Sequence, residues 1–399
     1  MTMDRTKWEH RKLREVCFYP NKRISISEIS PNQYVGVESL LKDRGGVSFG
    51  EELPDADSAI EYLDGDILIG NIRPYLRKIW KADRYGGASG DVVNVRIQKV
   101  YKDYISPEYL YKVLSSDMFF EYDNANTHGA KMPRGDRKAI AEFQIPIPTF
   151  YEQQRIVAEL DKLHDVIALK RKQLTDLDSL AQSLFYEMFG DPVVNERNWE
   201  MKSFGELCVK ISNGYNTKLE EDTYKTEGIM YFRCQNVWRN RFDYEDMVYI
   251  DEETNKKMKS SSLKHNDFLI TKIGRINTEN SSLGRISLYE GEDDKANLSG
   301  NLCFARLKNK IAIHKFVLYI LISNRFRDNI RRTTVGGIDK RALNVKQISS
   351  FPIILPPLPL QQSFAAKIAK IEAEKQSVKS SLKDLETLLA SRMQYWFDN

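Results

Sequence analysis

The side chains best suited to bind another molecule lie in short loops that mix arginine, lysine, asparagine and tyrosine. One such loop, 71–78, follows the apolar run Ile67–Ile69, and a similar loop, 271–277, follows the run Phe268–Ile270. Arginine and lysine can contact phosphates or guanine edges, and asparagine and glutamine can form paired hydrogen bonds with adenine. This combination of residue types favours contact with a nucleic acid.

Two further loops, 128–134 and 335–341, contain glycines, which allow the backbone to approach a phosphate closely. The segments 212–218 and 233–236 have a similar composition. For any one of these residues an ordinary solvated turn is an equally good interpretation, because such short patterns are degenerate. For the loops together, nucleic-acid contact is favoured. The candidate contact residues are Asn71, Arg73, Tyr75, Lys78, His128, Lys131, Arg134, Asn213, Tyr215, Asn216, Lys218, Arg233, Gln235, Lys272, Arg275, Asn277 and Lys340.

Motifs of several enzyme classes are absent from the sequence. There is no G-x-x-x-x-G-K-[ST] loop for nucleoside triphosphates, no G-x-G-x-x-G for dinucleotides or S-adenosylmethionine, and no H-E-x-x-H or G-x-S-x-G. The four cysteines have neither C-x-x-C spacing nor a histidine at ligand spacing, so they are expected to be small buried apolar residues. The sequence therefore carries no motif of these enzyme classes, and we expect no metal site.

Composition narrows the class of protein but leaves the function open. The 399 residues are 41% hydrophobic and 29% charged, which is typical of a folded protein with room for two domains. The net charge of +4 is compatible with nucleic-acid binding without being diagnostic. No apolar run is long enough to span a bilayer, and the N-terminus lacks the apolar stretch of a secretory signal. The predicted location is cytoplasmic, with no membrane partner.

The loops occur in pairs because the chain is duplicated. Phe143–Pro148 returns as Phe351–Pro356, and Gln153-Gln154 returns as Gln361-Gln362, an offset of 208 residues. Solenoid repeats are far shorter, so each copy is a whole domain. The apolar runs are kept between the copies whereas the loops diverge, which is the pattern expected where loops carry specificity.

Each copy is predicted to contain a globular part followed by a long helix. The globular part begins with a short helix and continues in short strands such as Val92–Ile97 and Leu302–Leu307. Further helices are expected over Pro107–Phe120 and Lys315–Arg327.

The two long helices show the apolar spacing of a coiled coil. Apolar residues recur at steps of three and four over about five heptads, with Lys170 and Lys375 as the interruptions. The seam residues are Ile156, Leu160, Leu163, Ile167, Leu174, Leu177, Ala181, Leu184 and Met188, then Phe364, Ile368, Ile371, Val378, Leu382, Leu385 and Leu389. Each helix needs a mate for this stripe, and the second globular part follows the first helix at once. The fold class is therefore α+β, with two similar α/β domains joined by two long helices that form an antiparallel coiled coil.

Some apolar residues of the long helices lie off this seam. They are Val157, Val166, Leu169, Leu180, Phe185, Leu388, Met393 and Tyr395. A leftover apolar surface suits the docking of other helices and disfavours a protein that acts alone.

These residues resemble the specificity subunit of type I restriction–modification systems, over nearly the whole chain. The segment Ile145–Pro148 with Glu152–Val157, the junction Met188–Pro192 leading to Trp199, and the strand Gly65–Ile69 are similar to the motifs of that family. The chain departs from the family pattern at Thr149-Phe150 and at Ser363-Phe364, without loss of the repeat or the seam.

The resemblance implies two target-recognition domains, each reading one half of a split site in double-stranded DNA. The implied boundaries are 1–148 for the first domain, 149–190 for the first helix, 191–356 for the second domain and 357–399 for the second helix. The helices are expected to act as a spacer on which two methyltransferase (M) subunits dock. The chain itself is expected to be non-catalytic and to bind no cofactor. S-adenosylmethionine, ATP and Mg are expected on those subunits and on the restriction/motor (R) subunits.

Three alternatives remain at this point. The first is a free-standing sequence-specific DNA-binding protein, such as a repressor. The second is a nuclease or methyltransferase with built-in specificity domains, which would need a longer chain. The third is a coiled-coil scaffold, which leaves two equivalent domains with variable polar loops unexplained.

Overall fold

The computed structural model describes residues 4–129, 131–216, 219, 223–275, 278, 281–308, 310–337 and 339–398. Contacts divide the chain into unit 1, formed by residues 1–172 and 379–399, and unit 2, formed by residues 173–378. The division falls within the two long helices, so the four-part division predicted from the sequence stays a prediction.

Unit 1 is built from short strands, short helices and parts of both long helices. Its strands are β1 Glu9–Lys12, β2 Cys17–Phe18, β3 Arg23–Ser25, β4 Tyr34–Val35, β5 Ser58–Tyr62, β6 Ile67–Gly70, β7 Ile79–Lys81, β8 Gly86–Ala88, β9 Val92–Ile97, β10 Thr127–His128, β11 Arg134–Gly135 and β12 Gln144–Ile147. Its helices are α1 Leu13–Val16, α2 Pro107–Leu114, α3 Asp117–Ala125, α4 Arg137–Glu142 and the start of α5 Phe150–Phe189.

Unit 2 repeats this arrangement with different loops. Its strands are β13 Met201–Ser203, β14 Cys208–Asn213, β15 Ile229–Phe232, β16 Val237–Trp238, β17 Arg241–Phe242, β18 Val248–Ile250, β19 Phe268–Thr271, β20 Ile273–Arg275, β21 Ile286–Leu288, β22 Ala296–Leu298, β23 Leu302–Leu307, β24 Val335–Gly336, β25 Lys340–Ala342 and β26 Pro352–Ile354. Its helices are α6 Phe204–Leu207, α7 Glu252–Lys257, α8 His314–Leu321, α9 Asn324–Thr333, α10 Val345–Ser349 and the start of α11 Leu358–Phe397.

The central sheets of the two units have the same topology. The strand order is β2-β9-β6-β7 in unit 1 and β14-β23-β19-β21 in unit 2, with antiparallel neighbours throughout. This equivalence confirms that the sequence repeat is a repeat of domains.

The middle strands β6 and β19 read as unbroken apolar runs because both faces of the sheet are covered. Ile67 and Ile69 enter one hydrophobic core, and Leu68, on the opposite face, enters another. In unit 2, Phe268 and Ile270 likewise enter one hydrophobic core, and Leu269 enters another on the opposite face. Side chains of a strand point alternately to its two faces, so each run supplies two cores.

The start of each globular part differs from the prediction in one detail. A strand, β1, precedes the short helix α1, and it pairs with β12, in the proline-containing segment before the long helix. In unit 2, β13 pairs with β26 in the same way. The proline segments are therefore edge strands, where a residue without an N–H is tolerated.

The predicted helices 107–120 and 315–327 are wrong as single elements, because a serine breaks each region into two helices. Ser116 caps the start of α3 by accepting a hydrogen bond from the Phe119 N–H at 3.2 Å. Ser323 does the same for the Phe326 N–H of α9, also at 3.2 Å. Serine is a favoured N-cap residue because its hydroxyl satisfies an otherwise unpaired helix donor.

The long helices pair antiparallel within each unit. In unit 1, Glu159 of α5 forms an ion pair with Arg392 of α11, and the later residue Arg171 pairs with the earlier residue Glu386. The two helices therefore run in opposite directions. In unit 2, Asp178 pairs with Lys375, and Phe185 packs on Phe364. The predicted seam residues are all buried or half-buried, which confirms the seam. None of the described helices has the length and apolarity that crossing a membrane requires.

Three residues predicted to lie off the seam pack on the domain cores instead, namely Phe185 in unit 2 and the half-buried Val157 and Met393 in unit 1. Phe185 is 2% exposed and contacts Phe189, Phe316 and Phe364 in unit 2. It is therefore excluded from the leftover apolar surface. Leu169, Leu180, Leu388 and Tyr395 remain exposed.

Candidate nucleic-acid interface

In unit 1, backbone hydrogen bonds join the loop after β6 to the hairpin β10–β11. The Gly135 N–H donates to the Asn71 carbonyl at 3.0 Å, and the Arg73 N–H donates to the Pro133 carbonyl at 2.7 Å. An isolated bridge links Ile72 to Arg134 between them. The fold thus brings the 71–78 loop and the β10–β11 hairpin, which are distant in sequence, to one edge of the unit. Arg73 and Arg134 are exposed on this edge.

The 71–78 loop holds two arginines in the left-handed backbone region. Arg73 has φ +53° and Arg77 has φ +51°, on either side of a 3₁₀ turn at Pro74–Leu76. Such a conformation costs about 1 kcal/mol or more for a residue with a Cβ, and it is concentrated at functional sites. A second turn supports it, because the Asp43 and Arg44 N–H groups donate to the Leu76 and Arg77 carbonyls at 2.9 Å each.

The side chains of this loop have different environments. Tyr75 is 52% exposed, and Arg73 has no ion-pair partner among the described residues. Lys78, in contrast, donates from Nζ to the Val37 carbonyl at 2.6 Å, so it holds a neighbouring loop. Arg73 and Tyr75 are therefore the loop residues that are available to a ligand.

The hairpin supplies the other candidates of unit 1. Arg134 forms an ion pair with Asp91 at 3.2 Å, and His128 pairs with Asp136 at 3.3 Å. The pKa of Asp136 is lowered, first by the Lys138 N–H and then by His128. Lys131 is exposed beside them. The exposed pair of Arg134 and Asp91 is weak, so a phosphate can compete for the Arg134 guanidinium.

Asn71 does not fit the role that was predicted for it. Its side chain is only 9% exposed, and its Oδ1 is enclosed without a hydrogen-bond partner among the described residues. A buried amide cannot reach a base edge, so this position supports the loop from within.

In unit 2, the equivalent loops form strands that pair directly. Arg275 of β20 stands opposite Lys340 of β25, and both are exposed. The side chain of Arg275 forms an ion pair with Asp339 at 3.3 Å. Lys272, directly before β20, donates from Nζ to the Asn213 Oδ1 at 2.8 Å. Burial lowers the pKa of Lys272.

The remaining candidates of unit 2 line two neighbouring cavities. Tyr215, Asn216, Arg233 and Gln235 line a cavity of about 490 Å³, together with Tyr224 and Tyr231 among others. Gln235, Arg275 and Lys340 line a second cavity of about 660 Å³. The two cavities share Gln235. Asp246 holds two of the lining side chains in place, because it forms an ion pair with Arg233 at 3.4 Å and accepts a hydrogen bond from the Gln235 Nε2 at 3.1 Å.

Two predicted contact residues, Lys218 and Asn277, lie outside the described part of the chain. Sequence reasoning also missed several residues that shape the site, notably Asp91, Asp246 and Asp123. Nothing in their local sequence marks them, because Asp91 and Asp246 are identified only by the side chains that the fold brings to them, and Asp123 only by its burial. The tyrosines at 224 and 231 carried a weak signal, as aromatic residues near basic loops.

The described residues contain no group of three or more histidine, cysteine, aspartate or glutamate side chains arranged to hold a metal ion. Cys17, Cys208 and Cys303 are buried and unbridged. Burial raises the pKa of Cys208 and of Cys303 to about 12, which makes these thiols unreactive. The site chemistry is thus that of arginine, lysine, amide and tyrosine side chains.

The pairing of basic loops on two equivalent domains agrees with a match to known proteins. The family model of the type I restriction modification DNA specificity domain matches residues 5–178 and again residues 196–386. The chain belongs to this family. The two matched segments are the two copies of the repeat, which confirms the resemblance seen in the sequence.

Individual relatives are distant. The chain is 25% identical over 278 residues to the type I restriction enzyme MjaIX specificity subunit of Methanocaldococcus jannaschii, a match that covers 66% of this chain and 62% of that protein. It is 20% identical over 374 residues to the EcoBI specificity subunit of Escherichia coli, covering 87% of this chain and 74% of that one. The chain thus spans slightly less than two thirds of the first of these relatives.

Solved structures support the fold of this specificity-domain chain. A chain from a structure of complex assembly and conformational transition in the type I R-M system gives a TM-score of 0.59 at 20% identity, covering 97% of this chain and 96% of that chain. The S subunit of the type I system from M. genitalium gives 0.55 at 13% identity, covering 98% and 96%. Two similar α/β domains with long helices are therefore confirmed as the fold class.

Proposed function

We propose that this chain is the DNA sequence-specificity subunit of a type I restriction–modification complex, and that each unit reads one half of a bipartite site in double-stranded DNA. One observation carries the proposal. In each unit, the loop that leaves the middle strand of the central sheet is bonded to a later hairpin, and the joined edge carries exposed basic residues. Arg73 and Arg134 form this edge in unit 1, and Arg275 and Lys340 form it in unit 2.

The two edges offer different chemistry, so the two half-sites differ in sequence. Unit 1 presents Arg73, Tyr75, Lys131 and Arg134 on short loops. Unit 2 adds the tyrosine-lined cavity beside Arg233 and Gln235. Arginine and lysine give affinity through phosphates, whereas glutamine and arginine facing a groove give base discrimination of about 1–3 kcal/mol per good contact.

The long helices fix the number of unread base pairs and carry the partner subunits. Each unit has exposed apolar residues on these helices, Leu169 and Leu388 in unit 1 and Leu180 in unit 2, and these residues are docking positions for two methyltransferase subunits. For both units to meet one face of the duplex, the half-sites lie about one helical turn, roughly 10 bp, apart.

The chain itself performs no chemistry in this scheme. S-adenosylmethionine belongs to the methyltransferase subunits, and ATP and Mg belong to the restriction/motor subunits. The location of the assembled complex in the cytoplasm stays a prediction. The absence of the usual nucleotide and metal motifs from the sequence supports this division of labour.

Co-expression with methyltransferase subunits, followed by genome-wide mapping of N6-methyladenine, tests the proposal. We expect a split, asymmetric motif with a fixed gap, which disappears when this chain is omitted. A matched chain carrying Arg275→Ala and Lys340→Ala should lose discrimination in one half of the motif and keep the other half. Sequence-specific DNA binding without any dependent methylation would favour a free-standing DNA-binding protein instead.

Inserting one heptad into both long helices tests their role as a spacer. Seven residues add about 10 Å of helix at about 1.5 Å per residue, so the gap in the motif should lengthen by about 3 bp at roughly 3.4 Å per base pair. An unchanged gap would show that the helices do not set the spacing.

A further inference from the structure

Three side-chain oxygens without hydrogen-bond partners are buried at one point of unit 1. Asp123, in α3, is 1% exposed, and neither of its carboxylate oxygens has a partner among the described residues. The same is true of the Asn71 Oδ1. Both residues face Gly135: a Cβ built on that glycine would lie 2.5 Å from the Asp123 Oδ1 and 3.0 Å from the Asn71 Oδ1. Two acceptors therefore occupy the space that a side chain at 135 would need.

Among the described residues, no neighbouring group supplies the hydrogen that these oxygens lack. Tyr19 donates its hydroxyl to the Arg137 carbonyl at 2.9 Å, and the Arg137 guanidinium donates to the Gly90 and Val92 carbonyls. Asp136, which accepts from the Lys138 N–H at 2.8 Å, is the acid paired with His128. The titratable and charged groups on the surrounding elements are thus committed elsewhere, and the thiol of Cys17 is buried.

An ionised carboxylate without a partner is costly in such a place, because burial removes its water and nothing replaces it. A single proton removes both problems. It neutralises Asp123, and it turns one carboxyl oxygen into a donor for the unpaired Asn71 Oδ1.

We propose that Asp123 is held as a neutral carboxylic acid whose O–H donates to the Asn71 Oδ1, and that this bond positions the two DNA-reading loops of unit 1. Asn71 begins the loop that carries Arg73 and Tyr75, and Gly135 ends the hairpin that carries Arg134. Asp123 anchors both from the helix behind them. The inference rests on the proposed function and adds a positioning residue that touches no DNA.

The bond makes unit 1 sensitive to pH. Desolvation raises the pKa of Asp123 to about 7, above its ordinary value of 3.8. An acid with a raised folded-state pKa binds its proton more tightly when folded. Its contribution to stability is therefore full below about pH 4 and is lost progressively as the pH rises to about 7. Above pH 7 the carboxylate forms, the donor disappears, and the loops lose their common anchor.

The test compares the full-length wild-type chain with Asp123→Asn, whose side-chain amide donates at every pH. Affinity is measured at pH 6, 7 and 8 for the duplex identified by methylation mapping, and for duplexes in which one half-site is scrambled. From pH 6 to pH 8 the wild type should lose about tenfold in affinity for duplexes that contain the unit 1 half-site. Asp123→Asn should lose none, and Asp123→Ala should be weak at every pH.

Two results would overturn the proposal. One is an identical pH dependence in the wild type and in Asp123→Asn, which would mean that titration of Asp123 does not control DNA binding. The other is a pH effect confined to the unit 2 half-site. Failure of the proposed function has a different signature, namely no preference for the mapped duplex over the scrambled ones at any pH.

Hydrogen exchange of the Gly135 amide decides the question without DNA and without a variant. This N–H donates to the Asn71 carbonyl, so it reports on the loop junction directly. After correction for intrinsic exchange, its protection in the wild-type chain should fall by about tenfold as the pH rises from 6 to 8. Constant protection would show that no proton on Asp123 holds the loops.

Discussion

Unit 1 and unit 2 share their scaffold contacts almost residue for residue, whereas their DNA-facing loops are held by different means. Asp66 pairs with Arg96 at 2.8 Å in unit 1, and Asp267 pairs with Arg306 at 2.6 Å in unit 2. In both cases the aspartate follows a residue with positive φ, Gly65 in one unit and Asn266 in the other. The turn before the middle strand therefore has the same backbone conformation and the same ion pair in both units.

The glutamines of the repeated motif show the same equivalence. The Gln153 Oε1 accepts from the Ser106 N–H at 3.0 Å, and its Nε2 donates to the Pro148 carbonyl at 3.0 Å. The Gln361 Oε1 accepts from the Ile313 N–H at 3.0 Å, and its Nε2 donates to the Pro356 carbonyl at 2.8 Å. Each buried glutamine therefore ties the start of a long helix to its own domain.

The DNA-facing loops, in contrast, are held by different contacts in the two units. Unit 1 joins its loops over the buried Asp123, whereas unit 2 pairs β20 with β25 beside a tyrosine-lined cavity. The comparison teaches that the core and the helix junction constrain the scaffold, while the loops are free to diverge once those contacts are satisfied. Changes to the scaffold should therefore have similar effects in both units, and changes to the loops should not.

The largest effect is expected at the junction of helix and domain. Phe364 is fully buried against Phe185, Phe189 and Tyr319 in unit 2, so Phe364→Ala should lower the free energy of unfolding by about 4 kcal/mol. The matching change in unit 1, Ile156→Ala, removes fewer atoms and should cost about 3 kcal/mol. Urea denaturation measures both losses. Leu169→Ala, at an exposed position, is the control and should stay within about 0.5 kcal/mol.

Breaking the repeated ion pair should destabilise the two units equally. Asp66→Ala and Asp267→Ala each remove the nearest carboxylate of a partly buried arginine. Arg96 keeps only the more distant Glu61 at 3.9 Å, so each change should cost about 3 kcal/mol. Thermal unfolding of the two variants checks this. A large difference between them would mean that the two pairs are not equivalent, and the shared-scaffold comparison would fail there.

A substitution in a loop of unit 1 should lower the stability by an intermediate amount. The Cβ of Gly135→Ala would collide with the Asp123 Oδ1 at 2.5 Å, so we expect a loss of about 2 kcal/mol and weaker binding to the unit 1 half-site. Calorimetry and DNA titration measure the two effects. The matched control is Gly90→Ala, whose Cβ would meet nothing within 4 Å. Equal behaviour of the two variants would contradict the crowding at Gly135.

The smallest effects are expected from single exposed cations. Lys340→Ala should weaken DNA binding and reduce the slope of log affinity against log salt by about 1, as expected for the loss of one phosphate contact. Arg73→Ala should weaken DNA binding as well. Folding should be unaffected, because both side chains are exposed. Arg73→Ala should also relax base preference in the unit 1 half-site only. Relaxed preference in both halves would remove the assignment of one unit to one half-site.

Much of the fold follows from patterns that are local in sequence. The heptad spacing predicted the seam, and the structure buries or half-buries every seam residue. The caps at Ser116 and Ser323 were also visible in principle, since serine is a common N-cap, but the apolar residues on either side suggested continuous helices. Phe185 was misplaced because a heptad count describes the helix pair and ignores the domain that also packs on the helix.

The site was less predictable than the fold. Composition and loop position identified Arg73, Arg134, Arg275 and Lys340, which the structure brings together in pairs. The same criteria selected Asn71, which is buried. A residue type states which bonds a side chain can form, but its exposure depends on elements from elsewhere in the chain.

By itself, the sequence determined the duplication, the long paired helices and the class of side chains in the loops. Regular spacing and repeated motifs reveal these properties, and both can be recognised without information on contacts between distant parts of the chain. Only the tertiary structure decided which polar groups are buried and what they face. Asn71, Asp123 and Gly135 come from a strand end, a helix and a hairpin, and they meet because sheet pairing and helix packing bring them to one point. Burial at that point, which the residue type alone does not reveal, raises the pKa of Asp123.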